Sequence, residues 1–145
     1  MTPLTHPSSA QDLGPLLLRL ALGTMWLSHA LLKLLVFTLP GTAQFFASVG
    51  FPAWLAYPVF AAELLGGLAL LLGLYARQVA LLLSPVLLAA AWVHLPNGWV
   101  HTSPGGGWEY PLFLSVASLA QWLIGDGRAA LRRSRWLTLD AGATA

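Results

Sequence analysis

The sequence predicts an all-α membrane protein, a bundle of four transmembrane helices. Of its 145 residues, 57% are apolar and only 8% are charged, whereas about a quarter of the residues in a soluble domain are charged. The apolar residues form long runs, and four of these reach or approach the roughly 20 residues that a spanning helix needs. A soluble domain of this size cannot bury so much apolar surface, so we expect a single compact domain in a lipid bilayer.

The four predicted spans differ in length, and together they make up one domain, residues 13–127. The first two are long enough to cross a bilayer, whereas the last two are short, and the fourth needs residues beyond Ile124. The spans are 13–37, 54–75, 78–95 and 108–127. A polar N-terminal tail, 1–12, precedes the domain, and a basic tail, 128–145, follows it.

The connections between the spans indicate how the helices are arranged. Ala76 and Arg77 form a turn so short that the second and third spans must be antiparallel neighbours. Residues 38–53 are predicted to form a short amphipathic helix in the membrane interface, ended by Gly50. Residues 96–107 contain three consecutive glycines and are predicted to be an irregular loop.

The distribution of Lys and Arg predicts the orientation. Arg77 and the arginines of the C-terminal tail lie on one side of the bilayer, and the two opposite loops hold neither Lys nor Arg. Both termini are therefore predicted to face the cytoplasm, in a multi-pass protein of the inner membrane. The tail arginines are predicted to contact the membrane surface: Arg128, Arg132, Arg133 and Arg135.

Glu63 lies in the middle of the apolar run Trp54–Leu74. A carboxyl group at that depth must be neutral, paired with a cation or part of a wet pocket. Candidate partners on the first span are Arg19, His29 and Lys33. The alternatives are a purely structural ion pair of Glu63 with Lys33 or Arg19, and basic side chains that only reach towards the two interfaces.

Two helical stripes predict how these groups meet. The first span carries residues at intervals of 4, 3, 4 and 3 that share one face directed into the bundle: Arg19, Gly23, Trp26, Ala30 and Lys33. The second span carries a stripe of small residues: Ala62, Gly66, Ala69 and Gly73. Such a stripe lets another helix approach closely. Because Glu63 adjoins it, we expect the carboxyl group to come within reach of a neighbouring span.

The remaining ionisable groups lie at the predicted outer ends of the spans. His94 ends the third span at about the depth of Lys33, and Glu109 opens the fourth, where a carboxylate favours the helix dipole. His29 and His94 alone do not identify a b-type haem site. The spacing of His94, His101 and Glu109 matches no compact metal-ligand pattern, so we expect no metal. Without cysteine we expect no covalently bound cofactor, and a net charge of +2 does not indicate a nucleic-acid partner.

Several motifs follow one another in order over residues 13–140: Arg19-x3-Gly23, His29-x3-Lys33, the glycine- and leucine-rich run from Glu63 to Arg77, His94, Glu109, Gly125-x-Gly127 and Leu137 to Asp140. Together they resemble the DoxX/DoxD family of small bacterial membrane proteins. Ala30 stands where the family often has Gly, and Thr138 stands where Ser is usual. The resemblance implies a four-helix membrane bundle. It also implies a link to quinone-dependent oxidation, because some members of the family are subunits of thiosulfate:quinone oxidoreductase.

The sequence is compatible with three functions, and it does not decide whether the protein is an enzyme. The first is a quinone-interacting subunit or accessory of a membrane oxidoreductase complex, which needs a partner subunit to deliver electrons. In it His29 or Lys33 donates to the quinone, Trp26 packs against the ring, and Glu63, the best catalytic candidate, relays protons. Its predicted site is Arg19, Trp26, His29, Lys33, Glu63, His94 and Glu109. The second is a non-enzymatic scaffold or assembly factor, and the third is a small-solute pathway through the bundle or a homo-oligomer.

Overall fold

The computed structural model describes residues 9–138, which form five α-helices and no strand. The helices are α1 Ser9–Leu31, α2 Leu39–Ser48, α3 Ala56–Leu72, α4 Ala76–His94 and α5 Glu109–Ile124. A π-helical turn, Leu32–Val36, continues α1, and 3-10 turns precede α3 at Ala53–Leu55 and follow α4 at Leu95–Asn97. The predicted all-α class is confirmed. Most of the predicted N-terminal tail, residues 1–8, and the end of the basic tail, residues 139–145 including Asp140, lie outside the described residues.

Within the described residues, three helical segments are long and apolar enough to cross a membrane: Asp12–Val36, Ala53–Leu72 and Ala76–Asn97. They correspond to the first three predicted spans. The fourth, α5, has only 16 residues and ends at Ile124. Gly125 follows it with a φ of 112°, a conformation that favours glycine and ends the helix, so α5 does not extend to the predicted boundary at 127.

The outer surfaces of the helices are apolar. Leu17, Leu65, Leu82 and Phe113, one on each of α1, α3, α4 and α5, are each at least 65% exposed. A soluble monomer rarely exposes such contiguous apolar surface, whereas hydrocarbon chains solvate it. The exterior is that of an integral membrane protein.

The four longer helices pack in a ring. The most extensive contacts join α1 to α3 and α4 to α5, and smaller contacts between α3 and α4 and between α1 and α5 close the ring. The predicted neighbours α3 and α4 do touch, but less extensively than α1 and α3. The buried apolar core between the helices is built mainly from Leu22, Trp26, Leu70, Leu83, Leu87 and Leu114.

The turn between α3 and α4 differs from the prediction. Gly73, with a φ of 66°, ends α3, and α4 already begins at Ala76. The residues predicted to form the turn, Ala76 and Arg77, therefore lie in the first turn of α4. The reason is that glycine adopts this left-handed conformation without steric strain and so ends a helix readily.

Residues 38–53 include the predicted short helix, α2. The hydroxyl of Thr38 caps its start by accepting a hydrogen bond from the backbone N–H of Gly41, at 3.2 Å. Gly50, with a φ of 90°, follows its end as predicted. α2 packs beside the start of α3.

Residues 125–138 fold back across one end of the helix ring. The buried carboxylate of Asp126 accepts hydrogen bonds from the backbone N–H of Arg77, at 3.2 Å, and from the backbone N–H and hydroxyl of Ser134, at 2.7 and 2.6 Å. The backbone N–H of Tyr75 donates to the carbonyl of Arg132, at 2.9 Å. The tail arginines are exposed. This segment therefore closes the end of the bundle, and its predicted contact with the membrane surface stays a prediction.

Candidate functional site

Two glycines bring α1 and α3 into backbone contact. A Cβ atom added to Gly67 would lie 3.1 Å from the carbonyl oxygen of Gly23, and one added to Gly23 would lie 3.0 Å from the carbonyl oxygen of Gly67. Glu63 lies one helical turn before Gly67, so the contact holds its carboxylate beside α1. The predicted stripe pointed to Gly66 instead. A Cβ on Gly66 would collide with Leu83 of α4, at 2.6 Å, so that residue packs against a different helix.

Glu63 forms an ion pair with Lys33. The Lys33 Nζ donates a hydrogen bond to Oε1 of Glu63 at 2.9 Å and lies 2.8 Å from Oε2. The Glu63 side chain is 4% exposed and the Lys33 side chain 16% exposed. The prediction that a basic residue of the first span pairs with Glu63 is confirmed, and the partner is Lys33. Burial of either charge alone is costly, because removing one partner of a buried pair leaves an uncompensated charge, at about 3–5 kcal/mol.

Arg19 lies far from this pair, at the end of the bundle that residues 125–138 close. It precedes Lys33 by 14 residues, which is about 21 Å along a helix. The buried Arg19 guanidinium donates from Nη2 to the carbonyl of Arg128, at 3.3 Å. It also occupies the space beside Gly73, where an added Cβ would collide with Nη1. Residues of one helical stripe share a side of the helix but differ in their position along its axis. For this reason the structure does not bring Arg19 close to the other predicted site residues.

A cavity of about 930 Å³ lies beside the ion pair. Its walls come from α1 with its π-helical turn, α2, and the adjoining parts of α3, α4 and α5. Five of the predicted site residues line it: Trp26, His29, Lys33, Glu63 and His94. Most of the wall is apolar and includes the aromatic rings of Phe45, Phe46 and Phe51. The sequence indicated the polar residues of this cavity but not the part that α2 takes in enclosing it.

The ring of His29 is fixed by two contacts. Its Nδ1 lies 2.9 Å from the carbonyl oxygen of Met25, one turn earlier on α1. Its face stacks on Tyr110 of α5, with the ring centroids 6.1 Å apart and the planes inclined by 21°. The sequence did not identify Tyr110 as a site residue, although it directly follows Glu109 and is the first aromatic residue of α5.

Trp26 presents a buried donor without an acceptor. The side chain is 2% exposed, and its Nε1 has no hydrogen-bond partner in the part of the chain that the structure describes. An indole nitrogen can only donate, and buried donors in proteins are nearly always paired. Trp26 also lines the cavity. It therefore offers a large apolar ring and a free N–H donor to a ligand beside the ion pair.

Glu109 and His101 form a separate pair. Oε1 of Glu109 lies 2.8 Å from the backbone N–H of His101, which donates to it, and 2.6 Å from its Nδ1. Glu109 lines a smaller groove, of about 450 Å³, and not the main cavity. His94 contacts Asn97 instead, with 3.4 Å between Nδ1 and Nδ2. No cluster of three potential metal-ligating side chains occurs within residues 9–138.

Residues 14–95 are similar to a known family of proteins. A model of the family described as DoxX matches residues 14–95, more than half of the chain. A relative from Bacillus subtilis (strain 168), "Putative oxidoreductase CatD", is 39% identical over 79 residues, which cover 54% of this chain and 58% of the relative. The matched segment thus spans less than two thirds of that relative. No solved structure matches. The family match includes Lys33, Glu63 and His94 and ends before Glu109.

Proposed function

Because the chain belongs to the DoxX family, we propose that it is a quinone-interacting subunit or accessory of a membrane oxidoreductase complex. The observation that carries the proposal is the cavity of about 930 Å³ beside the Lys33–Glu63 ion pair. The name of the Bacillus subtilis relative supports a redox role for the family segment. A bound quinone supplies two-electron, two-proton chemistry. The chain has no cysteine to hold an iron–sulfur cluster, and we assign electron delivery to a partner subunit.

The residues of the cavity fit a quinone head group. Its volume is in the range of small-molecule sites, and its walls are mostly apolar with a few polar groups, as such sites require. Lys33 is more exposed than Glu63, so Lys33 is the group that meets a quinone carbonyl. Glu63 neutralises the ammonium and holds it in position. The unpaired indole N–H of Trp26 supplies a second donor.

The proposal includes four spans with both termini in the cytoplasm, in the inner membrane. Arg77 and residues 125–138 meet at one end of the bundle, which gathers Arg77 and the tail arginines on one side, as the positive-inside rule requires of a cytoplasmic face. The Lys33–Glu63 pair and the cavity then lie in the outer half of the membrane. α5 completes the fourth crossing.

A thermal-shift measurement on purified protein tests the proposal. A ligand that binds the folded state raises the melting temperature, so decylubiquinone or menadione should raise the Tm of the wild type. We expect the gain to be lost in Glu63→Gln, which leaves Lys33 without its counter-ion. Absence of a shift with both quinones contradicts the proposal.

A matched pair of variants on α4 controls for unspecific effects. Ala90 lines the cavity, and Ala90→Phe should fill part of it and reduce the quinone-induced shift. Leu88, two residues earlier, is 54% exposed on the outer surface, and Leu88→Phe should leave the shift intact. Equal shifts in the two variants would place the quinone outside the cavity.

A scaffold without enzymatic activity is the second candidate function. It is favoured by the nearly complete burial of Glu63, whose carboxylate is already neutralised within the protein. In that case the ion pair only fixes how α1 and α3 align. The response of the double variant Glu63→Gln, Lys33→Met to decylubiquinone distinguishes the two functions.

A further inference from the structure

We propose that His29 selects the ligand of the cavity by accepting a hydrogen bond from a ring hydroxyl. The cavity would then prefer the phenolic, reduced form of a quinone-type ring over the oxidised form. This inference rests on the proposed function, because it names the redox form of the same ligand.

The contact between His29 and Met25 determines which ring nitrogen carries the proton. The carbonyl oxygen of Met25 can only accept a hydrogen bond, and it lies 2.9 Å from Nδ1 of His29. Nδ1 therefore carries a proton, and in the neutral imidazole this leaves Nε2 as an acceptor. Nδ1 is bound to the backbone of α1, so Nε2 is the nitrogen on the side of the ring away from its own helix.

This acceptor is held in place and lacks a donor. Tyr110 stacks on the ring and restricts its rotation, and the hydrogen bond to Met25 fixes its edge. His29 lines the cavity, and within residues 9–138 the only hydrogen bond of its side chain is the one made by Nδ1. An acceptor in a largely apolar cavity favours a ligand that brings a donor, because an unpaired polar group loses its solvation.

Lys33, in the π-helical turn that continues α1, supplies the complementary group one turn further along. Its ammonium has three N–H groups and donates one hydrogen bond to Oε1 of Glu63, so N–H groups are left for a ligand. His29 and Lys33 are about 6 Å apart along the helix axis. A quinone carbonyl satisfies only the donor of Lys33. A phenolic hydroxyl can donate to His29, and its oxygen can also accept.

Redox-inert probes test this preference without quinone chemistry. The pair is 4-hexylphenol and its methyl ether, 4-hexylanisole, which differ by one methyl group and by the donor. Affinity for purified protein is measured by isothermal titration, and the ratio between the probes is compared among variants, so that their different partition into detergent cancels. In the wild type we expect the phenol to bind about tenfold more tightly, the effect of one unpaired buried acceptor.

Two substitutions locate the preference. His29→Phe retains a ring against Tyr110 but has no acceptor. The ratio of the affinities for the phenol and its ether should therefore fall to the value that their different partition into detergent gives. His29→Gln provides an acceptor oxygen and should restore part of the preference. The Tm without ligand shows whether the phenylalanine variant folds. If it does not fold, the glutamine variant still tests the inference.

The outcomes separate this inference from the proposed function. If the wild type shows no preference beyond partition, or if His29→Phe retains it in full, His29 does not select the hydroxyl, while quinone binding in the cavity still stands. If neither probe binds but decylubiquinone does, the inference is overturned alone. If neither the probes nor the quinones bind, both are overturned.

Discussion

Gly23 of α1 and Gly67 of α3 touch through their backbones, since a Cβ on Gly67 would lie only 3.1 Å from the carbonyl oxygen of Gly23. This contact sets the distance between the two helices near the ion pair. The Lys33 and Glu63 side chains meet at 2.8–2.9 Å because glycine at both positions lets the helix axes approach. The cavity and its charged groups therefore depend on two residues that have no side chain.

Gly67→Ala should destabilise the protein by about 1–3 kcal/mol, the usual effect of overpacking. The added methyl group meets the backbone of Gly23 and Leu27, which cannot move aside as a flexible side chain can. The measurement is the free energy of unfolding in detergent. Gly14→Ala is the matched control on α1, because nothing lies within 4 Å of its Cβ. That change should be neutral or stabilise the helix by about 0.5–1 kcal/mol. Similar effects of the two substitutions would contradict the close crossing.

Glu63→Gln and Lys33→Met should each destabilise the protein by about 3–5 kcal/mol, since each leaves a buried charge without its partner. The double variant should recover most of this loss. Unfolding of all four proteins in the same detergent gives the coupling energy. Simple additivity of the two single effects would show that the charges do not interact.

The same double variant separates the two candidate functions. A stable double variant that no longer responds to decylubiquinone supports a role for the pair in quinone binding. A double variant that responds like the wild type limits the pair to a structural role.

Asp126→Ala should release residues 125–138 from the end of the bundle. The carboxylate accepts hydrogen bonds from Arg77 and twice from Ser134, and without it these donors are left unpaired. Trypsin should then cleave faster after Arg132 and Arg133. Ser134→Ala removes only the hydroxyl donor and should have a smaller effect. Wild-type cleavage rates in Asp126→Ala would rule out this closure.

The orientation can be tested by cysteine labelling, because the chain contains no native cysteine. Thr102 lies in the exposed loop before α5, and Arg133 lies in the exposed tail, so a cysteine at either position is accessible to a reagent. A membrane-impermeant maleimide should label Thr102→Cys in intact cells and Arg133→Cys only after permeabilisation. The opposite pattern would place the termini outside the cytoplasm.

The sequence could predict features that helical periodicity and the bilayer control. The inward stripe of α1 is confirmed, since Arg19, Trp26 and Ala30 are all buried. The pairing of Glu63 with a basic residue of the first span is confirmed as well. Both follow from the cost of placing a charge in hydrocarbon, which leaves few arrangements open.

The rest depended on tertiary contacts that no single helix encodes. The stripe on α3 indicated Gly66, but Gly67, about 100° further around the helix, makes the contact with α1. Arg19 shares a face with Lys33 but lies at the opposite end of the bundle, where Arg128 receives it. The stacking of Tyr110 on His29 joins two helices that are distant in sequence, and no local pattern predicts such a pair.

The shortness of α5 has a consequence for the surrounding lipid. Its 16 residues extend for about 24 Å, less than the roughly 30 Å of a typical hydrocarbon layer. In the proposed topology the bilayer must thin beside this helix to avoid hydrophobic mismatch. Lipid headgroups beside α5 would then lie closer to the arginines that follow Gly125. Because thinning the bilayer costs free energy, the protein should be enriched where the membrane is already thin.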